Sequence, residues 1–393
     1  MTRAIIAPRL FDGDRFHRDA AVVIDGGQVV AVQPLAELPQ GVAVERVAGL
    51  LVPGFVDAQV NGGGGVLLND APTPEAMRAI AAAHARFGTT SLLPTLISDT
   101  PQIVTAAIGA AIAATRCPGP IAGLHLEGPH LAPARKGTHL ASLMRPMTEA
   151  DVAELSAAAQ ALPALLLTVA AEQVTPAQVR ALVAAGATVS LGHSDCTAEQ
   201  AGELFAAGAT GTTHLFNAMS GLSHRAPGLV GATLEAPHVW AGIIADGAHA
   251  DPAALRIALR AKRGPGRLFL VTDAMSLVGS DAETLTLNGR SIRRHARPGA
   301  VSRLTLEDGT LAGSDLDMAT ALRFAARHLD LPLDEALRMA TRHPASFLRL
   351  PDRGRIAPGC RADLVLLDDA LRVCRCWSGG VPVDAAPQLP PPA

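Results

Sequence analysis

Four side chains capable of acid–base and metal chemistry each sit at the end of a short apolar run. Glu127 lies in AGLHLEG, His193 closes ATVSLGH, His214 lies in GTTHLFN and Asp273 closes RLFLVTD. Two neutral imidazoles and one carboxylate suit a catalytic zinc ion that keeps one position open for water. A further carboxylate can then serve as proton shuttle. The residue types point to a metal-dependent hydrolase.

Such chemistry needs a scaffold that brings distant strand ends together. Apolar runs of this length, separated by helical stretches, read as buried parallel strands. Eight are expected, at 51–60, 89–96, 123–128, 165–172, 188–193, 211–217, 239–247 and 267–274. The gaps carry helical signals such as TPEAMRAIAAAHARFG, TPAQVRALVAAG and TAEQAGELFAAG, each with a Thr cap and a closing Gly. Thr197 and Gln200 form a capping-box pattern, and Asp251-Pro252 opens another helix. The expected fold class is α/β, a (β/α)8 TIM-like barrel over 51–354, whose chemistry sits at the C-terminal ends of the strands. Periodicity alone leaves an open doubly wound sheet as the alternative. Both chain ends are β-rich: AAVVIDGGQVVAV has a hairpin signal at Asp25-Gly26-Gly27, and GRIAPGCRADLVLLD reads as short strands with turns. Segments 1–50 and 355–384 are expected to form one small β-sandwich domain. The proline-rich 385–393 reads as a disordered tail.

Composition excludes several classes. The chain has 393 residues, 49% hydrophobic, with a formal net charge of −3, which leaves no electrostatic footprint for nucleic acid or an anionic membrane. No apolar stretch is long enough to cross a bilayer and the N-terminus lacks a signal-peptide core, so a cytoplasmic protein is expected. The cysteines Cys117, Cys196, Cys360, Cys374 and Cys376 are odd in number and make no CxxC pair, which argues against a disulfide framework.

Longer motifs carry a resemblance. PGFVDAQVNGGGGV (53–66), HLEGPHL (125–131), KGTH (136–139), LGHSD (191–195), THLFNAM (213–219), ADGAHA (245–250), VTDAM (271–275) and LAGSDLDM (311–318) occur in this order. With them the chain resembles the amidohydrolase superfamily and, within it, the N-acetylglucosamine-6-phosphate deacetylases. The resemblance implies Glu127, His193 and His214 as metal ligands. Asp273 would be the catalytic acid/base, and His139 the donor that helps hold the acetyl oxygen. It further implies Asn217, the Ala218 backbone, Arg225 and His249 as the sugar-phosphate site, and a homodimer whose neighbouring subunit completes the pocket. The expected products are glucosamine 6-phosphate and acetate.

One departure from the broader superfamily is informative. Where many members carry His-x-His on the first strand and bind two metals, this chain reads Gln59-Val60-Asn61. Amides are poor ligands beside imidazole, so one divalent ion per subunit is expected, with Gln59 and Asn61 shaping the pocket or a second site. Zinc is the expected ion, and Fe2+, Co2+ or Mn2+ would suit the same ligands. Glu172 stands where many relatives have a carboxylated lysine on strand four, again against a binuclear centre. Two alternatives stay open: the same chemistry on N-acetylgalactosamine 6-phosphate or another N-acyl amine, and a non-catalytic scaffold on this barrel.

Overall fold

A computed structural model describes residues 2–383. The proline-rich 385–393, and residue 384 of the expected sandwich, lie outside the described residues. Eight parallel strands follow one another in sequence order: β1 (Phe55–Val60), β2 (Thr89–Ile97), β3 (Leu124–Glu127), β4 (Leu165–Val169), β5 (Thr188–Leu191), β6 (Gly211–Thr212), β7 (Trp240–Ile244) and β8 (Leu268–Val271). The ring closes through a parallel bridge between Val60 and Ala274. An amide–carbonyl bond from Asp273 to Gln59 (3.0 Å) and one from Asn61 to Ala274 (2.9 Å) complete the seam. This is the expected barrel, closed and not doubly wound. Strands β2 to β6 are buried at every position, as a sheet covered by helices requires.

The connecting helices start and stop where local chemistry dictates. Thr197 caps the helix Ala198–Ala206 in a full capping box with Gln200. After its last turn Gly208 turns left-handed (φ 112°) and the Ala209 amide donates back to the Leu204 carbonyl at 3.0 Å, a Schellman closure that only glycine adopts without strain.

Three differences from the sequence expectations have physical causes. The run 51–60 is two strands. Leu50–Pro53 pairs with Arg3–Phe11 and Leu364–Leu367, whereas Phe55–Val60 enters the barrel. The switch falls at Gly54: its amide donates to the Asp363 carbonyl (2.8 Å) and the Phe55 amide to the Gly88 carbonyl (2.9 Å), and a β-carbon at 54 would sit 1.9 Å from Thr90 Oγ1. Strand four stops at Val169, not 172, and strand six at Thr212, not 217, because the chain must turn to carry functional groups over the mouth. Residues within the expected 51–354 barrel also form a four-stranded antiparallel sheet: Thr284–Leu287, Arg290–Arg297, Ala300–Thr305 and Leu311–Ser314. Its first turn, Asn288-Gly289, has φ of 48° and 74°, the Asn-Gly hairpin chemistry that the sequence displays. Leu285, Leu287, Ile292 and Leu304 pack on Leu67, Ile97, Met275 and Leu277, which anchors this sheet at the barrel mouth.

Strands from both chain ends share a second core under Trp377, with Ile5, Leu10, Val22, Leu51 and Leu364. Trp377 is fully buried and the Arg375 guanidinium stacks 5.1 Å from its ring centroid. Replacing it with alanine should cost about 3–5 kcal/mol. Urea denaturation measures that cost. All five cysteines are free.

Candidate active site

The polar residues named from sequence at four strand ends converge. Glu127 is the last residue of β3, and His193, His214 and Asp273 each follow their strand by two residues. Those last three hold left-handed backbone, with φ of 48°, 33° and 54°. Non-glycine residues avoid this region, and strain of this kind collects at functional sites. Here it turns each side chain out of the strand's alternation and over the mouth.

Glu127 Oε1 lies 2.9 Å from His214 Nε2 and 3.2 Å from His193 Nε2, and the two imidazole nitrogens are 3.2 Å apart. Three donors at such spacing form one face of a tetrahedron around an ion with ligand distances of about 2.0–2.1 Å. Electrostatics agree. Burial opposes ionisation of Glu127, but the hydrogen bonds from His193 and His214 outweigh it and hold the carboxyl well below its usual range. Burial likewise disfavours a charged His214, yet the Glu127 carboxylate raises its pKa. The site is built to keep positive charge against that carboxylate, and a divalent ion satisfies the same demand.

His139 adds a fourth nitrogen, since Glu127, His139 and His193 bring ligand atoms within 4.8 Å of one another. Tautomers separate the imidazoles. His193 Nδ1 donates to the Arg135 carbonyl at 2.8 Å, which leaves the Nε2 lone pair for a cation. His139 Nδ1 instead accepts from the Ser98 amide at 3.3 Å and faces the Ser98 hydroxyl at 2.9 Å. Burial pushes His139 down to about 3, so the ring is neutral and its proton sits on Nε2. A ring with Nε2–H is a hydrogen-bond donor and a poor ligand. Ser98 therefore matters to the site; its only sequence signal is a polar residue closing an apolar strand.

Asp273 Oδ1 accepts from Asn61 Nδ2 at 2.7 Å and from Gln59 Nε2 at 3.2 Å, and Gln59 Nε2 also reaches Glu127 Oε1 at 3.1 Å. Both amides thus serve the carboxylates, and Oδ2 is the oxygen left to take a proton. Burial and the nearby Glu127 charge raise Asp273 to about 6, against the pull of His214, His249 and Asn61. Glu172 lies past the end of β4 in a 3-10 turn. It accepts from the Ser194 hydroxyl (2.7 Å) and the Asp195 amide (2.6 Å), which fixes the loop behind His193. Gly62 packs tightly, since a β-carbon there would lie 2.4 Å from the Val66 carbonyl oxygen.

The remaining candidates come from loops after β6 and β7. Asn217 is half-buried and donates to the His214 carbonyl at 3.2 Å, and Ala218 holds a φ of 49°. Arg225 lies in the fully exposed stretch 221–227. His249 Nδ1 donates to Asp246 Oδ2 at 2.7 Å, while Asp246 Oδ1 accepts the amides of Ala248 and His249. Burial alone would raise Asp246; the His249 hydrogen bond lowers it.

Comparison with known proteins agrees with this geometry. The chain is 46% identical to the N-acetylgalactosamine-6-phosphate deacetylase of Shewanella sp. (strain ANA-3), over 85% of this chain and 83% of that protein. Its fold matches the crystal structure of N-acetylglucosamine-6-phosphate deacetylase from Pasteurella multocida with a TM-score of 0.91, at 30% identity over 98% of this chain and 100% of that one. It also matches a mutant of N-acetyl-D-glucosamine-6-phosphate deacetylase from Mycobacterium smegmatis in complex with N-acetyl-D-glucosamine-6-phosphate. There the TM-score is 0.88, at 34% identity over 97% of this chain and 99% of that one. The model of the amidohydrolase family matches residues 50–387, so the chain belongs to the amidohydrolase family.

Proposed function

We propose that the protein hydrolyses the N-acetyl group of N-acetylglucosamine 6-phosphate to glucosamine 6-phosphate and acetate. The observation that carries this reading is the triangle of Glu127, His193 and His214 beside a hydrogen-bonded Asp273. Glu127, His193 and His214 would hold a divalent ion, zinc by preference, which would supply Lewis acidity for water and for the acetyl carbonyl. Asp273 Oδ2 accepts the proton of the attacking water and returns it to the departing amine nitrogen. His139 Nε2–H donates to the acetyl oxygen as charge builds on it. Gln59 and Asn61 hold Oδ1 and keep the carboxylate in place.

Arg225, His249, Asn217 and the Ala218 amide are assigned to the sugar phosphate. Arg suits phosphate through its forked donors, and Asp246 fixes the tautomer of His249. The reading includes a two-part chain, a sandwich domain from 1–50 and 355–384 beside a barrel over 51–354, with their boundary moved to Gly54 by the pairing of Leu50–Pro53 with Arg3–Phe11 and Leu364–Leu367. It also includes a cytoplasmic homodimer whose partner completes the pocket. No described helix is long and apolar enough to cross a membrane, and the charge of −3 offers nothing to nucleic acid.

The galactosamine epimer is a second reading, favoured by the 46% identity to the Shewanella enzyme. Acetate release from both epimers, with chelator and with zinc restored, tests both. Metal-dependent release is expected on the phosphorylated sugars and not on the free sugar, and the faster epimer names the substrate. No release from any phosphorylated amino sugar with any divalent ion would point first to another N-acyl amine as substrate, and to the scaffold reading once those also fail.

A further inference from the structure

The barrel seam contains a carboxylate that the proposed chemistry does not use. Asp57, on β1, is fully buried, and its partners are neutral donors. Asp57 Oδ2 accepts from the Thr272 hydroxyl at 2.6 Å, and Oδ1 accepts from the amides of Thr272 (3.2 Å) and Gln59 (3.3 Å). Burying a carboxylate without a cation is costly, and here burial pushes its pKa up to about 7. An apolar pair would close a barrel seam at less cost. The arrangement therefore calls for a function other than stability.

Thr272 immediately precedes Asp273, and the chain around them is pinned from two sides. On the β1 side, Asp57 holds the Thr272 hydroxyl and amide, and the Gln59 carbonyl accepts the Asp273 amide at 3.0 Å. On the opposite side, the Ser314 hydroxyl donates to the Thr272 carbonyl at 2.6 Å, and the Ser314 amide donates to the Asp273 carbonyl at 2.9 Å. Both peptide groups flanking Asp273 are thus fixed, and between them Asp273 holds its left-handed φ of 54°. The seam here carries an isolated bridge at Val60–Ala274 in place of a continuous ladder, so the Asp57–Thr272 side-chain bonds add to the few backbone bonds that set its register. Ser314 belongs to the four-stranded sheet at the mouth, which links that sheet to the placement of Asp273.

We propose that Asp57 is a positioning residue: through Thr272, and opposed by Ser314, it sets the backbone that aims the Asp273 carboxylate. The proposal rests on the deacetylase reading for its effect on rate, and on geometry alone for its effect on backbone order. One residue with two acceptor oxygens fixes the Thr272 hydroxyl and amide together.

The test uses full-length metal-replete protein with Thr272→Val, Thr272→Ser and Asp57→Asn. Thr272→Val keeps the shape and removes the hydroxyl; Thr272→Ser keeps the hydroxyl. Thr272→Val and Asp57→Asn should lower kcat per bound metal by about 10–100-fold, as supporting hydrogen bonds of a metal site do, with KM and metal content unchanged. Thr272→Ser should restore kcat. If Asp57→Asn does not fold, the valine–serine pair decides. A purely structural role would lower the melting temperature but leave kcat per bound metal as in wild type, and that result overturns the proposal. If wild-type protein releases no acetate, the deacetylase reading falls by itself. Hydrogen exchange at the Asp273 amide then decides the positioning: faster in Thr272→Val than in Thr272→Ser supports it, and equal rates overturn it.

Discussion

Asp273→Asn should lower kcat for acetate release by about 10²–10⁴-fold, the range that a positioned acid–base group contributes. The substitution keeps size and keeps an acceptor for the Asn61 and Gln59 amides, so the fold and the ligand triangle should survive. What disappears is the proton acceptor at Oδ2. Since a tenfold rate change corresponds to about 1.36 kcal/mol, a 10³-fold loss is about 4 kcal/mol of transition-state stabilisation. The diagnostic pattern is a collapsed kcat with near wild-type KM and bound metal. Steady-state kinetics beside metal analysis of the same sample reads it. An Asp273→Asn protein as active as wild type would remove Asp273 from the chemistry.

Glu127→Gln should have the second large effect, through metal retention. Glu127 Oε1 is the common partner of His193, His214 and Gln59, at 3.2, 2.9 and 3.1 Å. An amide there keeps the volume but brings no charge to balance a divalent ion, and amides are weak ligands. Metal affinity should fall by more than the roughly 10–100-fold that loss of a supporting partner costs. A bound ion stabilises the fold by about 2.7 kcal/mol when present at 100 times its dissociation constant. Chelator should therefore lower the melting temperature of the wild type and leave that of Glu127→Gln nearly unmoved. Equal chelator shifts in the two proteins would place the ion elsewhere.

Much of this molecule is legible in one dimension because its causes are local. Short apolar runs specify the barrel strands, Thr caps and glycine stops specify helix ends, and Glu127, His193, His214 and Asp273 stand at strand ends in chain order. The Asn288-Gly289 hairpin is equally local, although a barrel-wide reading of 51–354 absorbs it. The apolar run 165–172 puts Glu172 on a strand, whereas that strand ends at Val169, since an apolar run fixes a strand's existence better than its last residue. The division at Gly54 depends on a change of partner, from the Asp363 carbonyl for its own amide to the Gly88 carbonyl for the next, which no periodicity reports.

Residue types, their order and the barrel that gathers them follow from local patterns along the chain. The protonation that each proposed role requires is set by contacts distant in sequence. In the proposed chemistry His139 donates through Nε2–H, because the Ser98 amide, 41 residues away in sequence, occupies its Nδ1. In the proposed chemistry His193 offers Nε2 to the ion because its Nδ1–H donates to the Arg135 carbonyl, 58 residues away. Asp57 reaches Asp273 through a hydroxyl 215 residues distant. An imidazole's proton and a carboxylate's free oxygen are set by whichever donors and acceptors the fold brings within about 3 Å, and that proximity exists only once the barrel has closed.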